Sequence, residues 1–284
     1  MPAVQLSAGT IHYEKSGPAT GRPVVFIHGY LMASSLWGPL TERLADSEFA
    51  CYAPTWPLGG HPEPMRDGGE LSMEGVAALV VEFLQALELH DVILVGNDTG
   101  GAIAQIVATR VPARLGALVL TSCDAFEHFP PGGSFKTLIA AAKFRPTFRA
   151  VVAPLRTKKV RQQGYGQLAH ADIDDLVKEW VKPVLTNAGV REDLRRFTAS
   201  LHRQSVEDAG ARLPQFTKPA LIAWSADDTF FALDDARRLA AALPQSRLEF
   251  IENAKTFSMI DQPDTLADLI VDFAWSARRT LNVA

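Results

Sequence analysis

The sequence predicts an α/β fold, a doubly wound and mostly parallel sheet with an inserted helical cap. Short continuous apolar runs are typical of parallel strands that are buried on both faces. Amphipathic stretches with helical spacing lie between these runs. One long segment, residues 124–212, has helical stretches and Pro/Gly punctuation but no buried-strand pattern. The alternation of strand and helix patterns favours a doubly wound sheet, and the long segment favours an insertion into it.

The strands are predicted from short runs along the whole chain. Residues 4–14, with Gly9 between two alternating runs, predict an antiparallel hairpin at one edge of the sheet. A weaker alternating run at 247–251 predicts one further strand. The continuous apolar runs, each predicting a parallel strand, are residues 24–27, 92–95, 117–120 and 220–224.

The helices are predicted from amphipathic spacing. In residues 72–89 the apolar side chains fall at i, i+3, i+4, i+7, i+8 and i+11 from Val76, and Ser72 is the expected N-cap. A helix at 263–279 is expected to begin with Pro263, since proline is common in a first turn. Two further helices are expected near residues 100–110 and 234–243.

These elements predict a core formed by residues 1–123 and 213–284, with residues 124–212 as a helical cap. The 284 residues are enough for one large core. The first half of the predicted cap, residues 128–171, has no Asp or Glu. It is either a solvated helical face or a positive field that favours an anionic substrate or partner. Its basic residues are Lys136, Lys143, Arg145, Arg149, Arg156, Lys158, Lys159 and Arg161.

Composition excludes several classes of protein. A hydrophobic content of 47% is too high for a disordered chain, and no apolar run approaches the roughly 18–20 residues of a spanning helix. The 28 basic and 32 acidic side chains give no case for a nucleic-acid or polybasic membrane binder. The first 17 residues lack a charged leader followed by an apolar stretch, and Cys51 and Cys123 have no metal-binding spacing. We therefore expect a cytoplasmic protein with reduced cysteines.

The most informative motif is Gly96-x-Asp98-x-Gly100, which follows a predicted strand and precedes a predicted helix. This strand–turn–helix context is that of a nucleophile elbow. The glycines permit a sharp turn that places the Asp98 side chain at a helix N-terminus, where backbone N–H groups favour negative charge. A carboxylate at such a turn can attack carbon and form an ester. With His28-Gly29 after an earlier strand, the pattern indicates Asp98 as a nucleophile.

With these motifs the chain resembles the α/β-hydrolase fold superfamily, in the branch with an aspartate nucleophile that includes epoxide hydrolases and haloalkane dehalogenases. The resemblance extends over nearly the whole chain, through residues 24–29, 96–101, 219–228 and 251–263. It implies that Asp98 is the nucleophile and that the helical segment after the next strand is a cap.

The resemblance also implies roles for residues around Asp98. The backbone N–H groups of Tyr30 or Leu31 and of Thr99 would form an oxyanion hole. Asp228, which follows the seventh strand, would be the catalytic acid, with its neighbour Asp227 as the alternative. A turn or helix-cap role for Asp228 is the structural alternative.

The chain departs from the family at the general base. The family's histidine precedes the last helix, but residues 254–258 read Ala-Lys-Thr-Phe-Ser, so Thr256 occupies its position and no histidine follows His202. A threonine hydroxyl cannot deprotonate water near pH 7, so ester hydrolysis has lost its usual base. His61, in the loop after the fourth strand, is one candidate replacement. His128 and His202 have weaker cases, and His28 is expected to be structural.

Asp124, at the end of the strand after the elbow, is the second candidate. If Asp98, Asp124 and Asp228 converge, their repulsion should raise at least one pKa and hold a proton there. Such a pair of acid and carboxylate could move protons without histidine. Alternatively, Asp124 caps the turn into the insertion. No spacing argues for a metal bound by these carboxylates, so we expect neither a metal nor another cofactor.

The sequence leaves three functional hypotheses open. Haloalkane dehalogenation is disfavoured because Tyr30 and Thr99 stand where such relatives usually have halide-binding Asn and Trp. Epoxide opening needs a proton donor, and Tyr165 is the only tyrosine of residues 124–212. We predict a hydrolase of a small, partly apolar molecule, epoxide- or ester-like, through Asp98 with a non-standard base. The alternatives are a lyase, isomerase or cyclase that uses the same pocket, and an inactive ligand-binding protein.

Overall fold

A computed structural model describes residues 1–281, and in it one eight-stranded sheet runs through the molecule. The strands are β1 Ala3–Leu6, β2 Gly9–Ser16, β3 Arg22–Ile27, β4 Phe49–Pro54, β5 Val92–Asp98, β6 Leu115–Cys123, β7 Ala220–Ser225 and β8 Ser246–Ile251. Their order in the sheet is β1-β2-β4-β3-β5-β6-β7-β8. The first two strands form an antiparallel hairpin at one edge, and the other six run parallel to one another. The predicted mostly parallel sheet is therefore confirmed.

Burial along the strands follows their position in the sheet. Every residue of β5, β6 and β7 is buried, as the continuous apolar runs predict for strands covered on both faces, and so is every residue of β4, for which no run was identified. By contrast, β8 lies at the edge and five of its six residues are only partly buried. This is the physical reason for its weaker, alternating pattern.

Helices cover the sheet and follow its strands. They are α1 Gly38–Ala45, α2 Met73–Ala86, α3 Thr99–Arg110, α4 Ser134–Ala141, α5 Arg145–Val152, α6 Lys158–Tyr165, α7 Asp174–Thr186, α8 Ala188–Ser200, α9 Arg203–Arg212, α10 Leu233–Ala242, α11 Ser258–Asp261 and α12 Pro263–Leu281. At the start of α2 the Ser72 hydroxyl accepts a hydrogen bond from the Gly75 N–H at 3.0 Å, so Ser72 is the N-cap, as predicted. None of these helices, within residues 1–281, has the length and apolar character that a membrane crossing requires.

The chain between β6 and β7 contains helices α4 to α9 and no strand. These helices lie against the loops that leave the carboxyl ends of the strands. The Trp180 indole N–H donates to Ser35 Oγ at 2.8 Å, and the Tyr165 hydroxyl donates to Leu31 O at 3.2 Å. The helical segment therefore lies over the edge of the sheet at which parallel strands usually present functional side chains.

Candidate active site

Asp98 stands at the turn between β5 and α3, at this carboxyl edge. Its backbone has φ 55° and ψ −136°, a left-handed φ that non-glycine residues rarely adopt. Such strain persists only where surrounding contacts hold it, and it is commonest at functional sites. The side chain is only 7% exposed, yet it lines a cavity of about 310 Å³. The Gly96-x-Asp98-x-Gly100 motif thus builds a turn that presents a buried carboxylate to a cavity.

Two backbone donors converge on one oxygen of this carboxylate. The Tyr30 N–H donates to Asp98 Oδ1 at 3.1 Å, and the Thr99 N–H donates to the same atom at 2.6 Å. The loop can approach this closely because a Cβ on Gly29 would lie 2.1 Å from Oδ1, where only glycine fits. Within residues 1–281 no backbone N–H bonds to the other oxygen, Oδ2. That second oxygen is therefore the one available for a reaction.

Leu31 does not supply an oxyanion donor, which corrects one of the two expectations for this loop. Leu31 has a φ of 56°, and its N–H donates away from the site to Leu58 O at 2.8 Å. Its side chain lines the cavity, so it contributes surface for a substrate instead. The donors at Asp98 are therefore those of Tyr30 and Thr99.

Three carboxylates lie close together at this edge. Burial raises the pKa of Asp98, and repulsion from Asp228 adds to it, while the hydrogen bonds from Thr99 and Tyr30 oppose the change. Burial also raises the pKa of Asp124 well above its usual range, and the charge of Asp98 raises it further. Asp98 therefore interacts electrostatically with both Asp124 and Asp228. The structure gives them no metal-binding arrangement among the described residues.

Asp228 is held by the loop after β7. Its Oδ1 accepts hydrogen bonds from the N–H groups of Phe230 at 2.7 Å and Phe231 at 2.9 Å. Burial raises its pKa, and these N–H bonds counteract part of the change. The neighbouring Asp227 is largely exposed and bonds to His170 Nε2 at 2.9 Å. Of the two candidate acids, Asp228 is the one whose charge acts on Asp98.

Thr256 is fully buried beside Asp228. Its hydroxyl donates to Asp228 Oδ1 at 3.1 Å. Its carbonyl accepts from Asn97 Nδ2 at 2.9 Å. Since Asn97 directly precedes Asp98, the Thr256 loop is bonded to the elbow itself. Thr256 thus lies in contact with the candidate acid, as a residue in the histidine position would.

His61 does not line the cavity that contains Asp98. Its ring is 1% exposed and lies between two partners, with Gly59 N–H donating to Nδ1 at 3.3 Å and Nε2 lying 3.3 Å from Asp193 Oδ2. Because Nδ1 accepts, Nε2 bears the proton and donates to Asp193. Asp193 belongs to α8, so His61 fastens the helical segment to the core. This arrangement contradicts its candidacy as the replacement base.

His28 has a structural role, as expected. Its Nε2 accepts from the Trp56 N–H at 2.8 Å, so Nδ1 bears the proton and donates to Gly29 O at 2.9 Å. Burial lowers the pKa of His28 from 6.5 to about 4. The neutral ring therefore holds the loop that carries the Tyr30 donor.

Acidification is expected to destabilise the protein through His28. The unfolded chain takes up this proton near pH 6.5 and the native state only near pH 4. The contribution of neutral His28 to the free energy of unfolding is therefore intact above pH 6.5 and is lost as the pH falls toward 4. The loss is about 2 kcal/mol between about pH 6.5 and 5. Urea unfolding across this interval should show that the wild type loses about 2 kcal/mol more than His28→Gln. Equal pH dependence in the two proteins would contradict this assignment.

The cavity around Asp98 is mostly apolar. Its polar lining is confined to Tyr30, Asp98, Thr99, Asp124 and Tyr165. The apolar lining comes largely from the segment after β6 and consists of Leu31, Met32, Pro131, Phe135, Leu138, Val151, Val152, Leu155, Val160, Leu168 and Phe230, with Gly164. A small molecule with much apolar surface fits such a lining.

Two tyrosines face this cavity with their protons already engaged. Thr198 donates its hydroxyl proton to Leu194 O at 2.7 Å, so it accepts from the Tyr30 hydroxyl at 2.6 Å. Tyr165 donates to Leu31 O at 3.2 Å. Burial raises the pKa of Tyr165 well above its usual range, and the charge of Asp98 adds to this. Tyr165 therefore stays protonated near Asp98.

The basic residues of 128–171 do not reach the cavity lining. Arg161 forms a two-bond ion pair with Asp174, both at 2.9 Å, and Arg145 pairs with Glu192. Arg161 and Arg145 are thus neutralised by acids of later helices, and the charged side chains that line the cavity are the carboxylates of Asp98 and Asp124. Of the two interpretations of this basic stretch, the solvated helical face fits the structure better than a positive field at Asp98.

Sequence reasoning missed three polar residues that organise the site. Asn97 is fully buried and bonds to Thr121, Ser122 and Thr256, which ties the ends of β5 and β6 to the 256 loop. Thr198 and Asp193 come from α8 and fix Tyr30 and His61. The available signal for Asn97 was its position between Gly96 and Asp98, at the end of a buried strand. Nothing local distinguishes the two α8 residues, because their partners are more than 100 positions away.

Comparison with known proteins yields one family. The family model described as alpha/beta hydrolase fold matches residues 22–263. The 2-hydroxy-6-oxononadienedioate/2-hydroxy-6-oxononatrienedioate hydrolase 1 of Pseudomonas putida is 26% identical over 272 residues, which cover 93% of this chain and 91% of that protein. Haloalkane dehalogenase 2 of Mycobacterium tuberculosis is 27% identical over 284 residues, which cover 94% and 92%. The crystal structure of wild-type DBJA matches with a TM-score of 0.80 at 15% identity, over 98% of this chain and 99% of that one.

Proposed function

This chain belongs to the α/β hydrolase fold family, and we propose that it hydrolyses a small, largely apolar, epoxide- or ester-like molecule through Asp98. The observation that carries the proposal is the state of the Asp98 carboxylate. One oxygen is fixed by the N–H groups of Tyr30 and Thr99, and the side chain borders a mostly apolar cavity. A carboxylate held in this way is oriented for attack by its second oxygen.

The first half of the reaction follows from that orientation. For an epoxide, Asp98 Oδ2 attacks a ring carbon, the carbon–oxygen bond of the ring breaks, and an ester forms on Asp98. The ring oxygen then needs a proton. Tyr165 retains its proton beside Asp98 and is one donor in reach of the same cavity.

The second half is hydrolysis of that ester at Cγ of Asp98. Water adds to Cγ, and negative charge develops on Oδ1. The Tyr30 and Thr99 N–H groups already point at Oδ1, so the oxyanion meets donors without any rearrangement. The two N–H groups bond to an oxygen of the Asp98 side chain, and not to a position beside it that a substrate oxygen would occupy. This arrangement favours a reaction through an enzyme-bound ester of Asp98.

The helices of residues 124–212 act as a cap in this proposal. They supply most of the apolar lining, so they set the size and polarity of the accepted substrate. They also exclude water from Asp98, which strengthens the electrostatic effect of the two N–H donors.

Asp228 and Thr256 complete the proposed site. Asp228 takes the position of the family's acid, and Thr256 stands where its histidine would lie and donates to Asp228. Threonine supplies no base, so hydrolysis depends on another group. The three neighbouring carboxylates without histidine are also the observation that favours the alternative, acid–base chemistry by a lyase, isomerase or cyclase.

Single-turnover reactions in heavy-oxygen water test the proposal. Excess enzyme would be mixed with terminal epoxides bearing apolar substituents of increasing length. After proteolysis, the mass of the peptide containing Asp98 would be measured by mass spectrometry. Hydrolysis through the ester is expected to place one heavy oxygen in the Asp98 carboxyl group. Label in the product alone would mean that water attacks the substrate directly, and it would refute the assignment of Asp98 as nucleophile. Product formed without label in the product or in Asp98 would establish the non-hydrolytic alternative. Absence of both turnover and label with every substrate would contradict the proposal that the protein is an enzyme.

A further inference from the structure

We propose that Asp124 is the general base that activates water for hydrolysis of the Asp98 ester. The inference rests on the proposed function and supplies the base that Thr256 cannot. Asp124 directly follows β6, is 4% exposed, and lines the same cavity as Asp98. Asp124 is thus a buried carboxylate at the reaction centre that is not the nucleophile of the first half-reaction.

Thr99 joins the two carboxylates. Its hydroxyl donates to Asp124 Oδ2 at 3.0 Å, while its N–H donates to Asp98 Oδ1 at 2.6 Å. The main chain is joined as well, since the Asp124 N–H donates to Asp98 O at 3.3 Å. These bonds fix the position of Asp124 relative to Asp98. Its other oxygen, Oδ1, accepts no hydrogen bond from the described residues and is free to accept one from water.

A second cavity gives water a place beside Asp124. It has a volume of about 300 Å³ and shares Asp124, Pro131 and Phe230 with the substrate cavity. Its other lining includes His128 and Asp235, which are joined by a hydrogen bond of 2.7 Å, and the His128 side chain is 55% exposed. A cavity that contains two carboxylates and a histidine and has an exposed end admits water. Water can therefore stand against Asp124 while an apolar group occupies the substrate cavity.

Ester formation switches Asp124 from acid to base. In the free enzyme, burial and the charge of Asp98 raise the pKa of Asp124, which favours its protonated form. Burial and the charge of Asp235 also raise this pKa, and both remain when esterification removes the charge of Asp98. Asp124 loses its proton to the opened ring oxygen, because an alkoxide is far more basic than a carboxylate. Asp124 is then an anion when the ester needs a base.

The protons balance over a full cycle. Water gives one proton to the Asp124 carboxylate, and its oxygen bonds to Cγ of Asp98. The tetrahedral intermediate collapses as the bond from Cγ to the alkyl oxygen breaks, and the proton of the new carboxyl group goes to the leaving alkoxide. Asp98 is again a carboxylate and Asp124 again an acid, as at the start.

The test is the decay of the Asp98 ester after substrate is removed by rapid gel filtration, followed by intact-protein mass spectrometry. In Asp124→Asn the ester is expected to form, with Tyr165 as the remaining proton donor, but to decay about 10²-fold more slowly than in the wild type, a typical loss for a missing base. Asparagine keeps the size of the side chain and its acceptor for the Thr99 hydroxyl. Asp124→Glu, which keeps the carboxylate, should restore part of the decay rate and its rise with pH.

Equal decay of the ester in wild type and Asp124→Asn would overturn the base assignment, while the ester itself would still support Asp98 as nucleophile. Slow decay in both Asp124→Asn and Asp124→Glu, without pH dependence, would also overturn it, because the role would then be structural. Absence of an ester in all three proteins, with turnover intact, would instead refute the proposed function.

Discussion

Replacing Asp98 with asparagine is expected to reduce turnover by about 10⁴-fold or more and to abolish the ester. An amide oxygen does not form the ester that a carboxylate forms, so the reaction loses its covalent step. The shape of the site is preserved, because asparagine offers an oxygen to the N–H groups of Tyr30 and Thr99. Asparagine also tolerates the left-handed φ at this position better than most residues.

The same substitution is expected to raise the free energy of unfolding near pH 7. Burial raises the pKa of Asp98 in the native state, so the charged carboxylate is less favourable in the native state than in the unfolded chain. This contribution to stability is present below the unfolded pKa and is lost as the pH rises through the folded pKa. The asparagine side chain is neutral at every pH and avoids that loss. Urea unfolding should therefore show a more stable and inactive variant, the usual relation between stability and activity at a catalytic group.

Asp227→Asn is the matched control for Asp98→Asn. Asp227 lies on the β7 loop, is largely exposed and pairs with His170, so the substitution removes an equal charge outside the cavity. Its turnover should stay within a few-fold of the wild type. Turnover in Asp98→Asn within about tenfold of wild type would show that Asp98 is not the nucleophile, since removal of a covalent nucleophile costs far more.

The sheet was predictable from sequence because local patterns report burial directly. Continuous apolar runs predicted β3, β5, β6 and β7, and the alternating run predicted the edge strand β8. The helix α1 was not predicted, because Gly38 and Pro39 in its first turn carry the signals of a loop. Proline is accepted there, since a first-turn N–H has no partner within the helix.

The site was predictable where its residues share a motif or a strand end. Asp98 and Thr99, whose N–H bonds to it, lie in one short motif, and Asp124 follows the next strand, so parallel strands place them at one edge. The sequence does not indicate whether Tyr30 or Leu31, in the loop after β3, donates its N–H to Asp98, because the backbone torsions of that loop decide it. The engagement of His61 by Asp193 was equally inaccessible, since it depends on how α8 packs against the core.

Gly100→Ala is expected to lower the free energy of unfolding by about 3 kcal/mol or more, the upper range for overpacking a closed site. A Cβ on Gly100 would lie 2.1 Å from Ile27 O and 2.6 Å from His28 O. Both contacts are backbone atoms at the end of β3, so no side-chain rotation relieves them. Gly38→Ala is the control, because a Cβ there meets no atom within 4 Å and alanine favours helix α1 by up to about 1 kcal/mol.

The fraction of Gly100→Ala that remains folded should also lose activity. Relief of the clash requires α3 and the end of β3 to move apart, and each carries one of the two N–H donors at Asp98 Oδ1, from Thr99 and from the loop at Tyr30. Separation of the two elements therefore weakens the oxyanion site, and loss of one such donor costs about 10²-fold in rate. Urea unfolding together with turnover per folded molecule tests both effects. A variant as stable as the wild type would show that the elbow does not need glycine at this position.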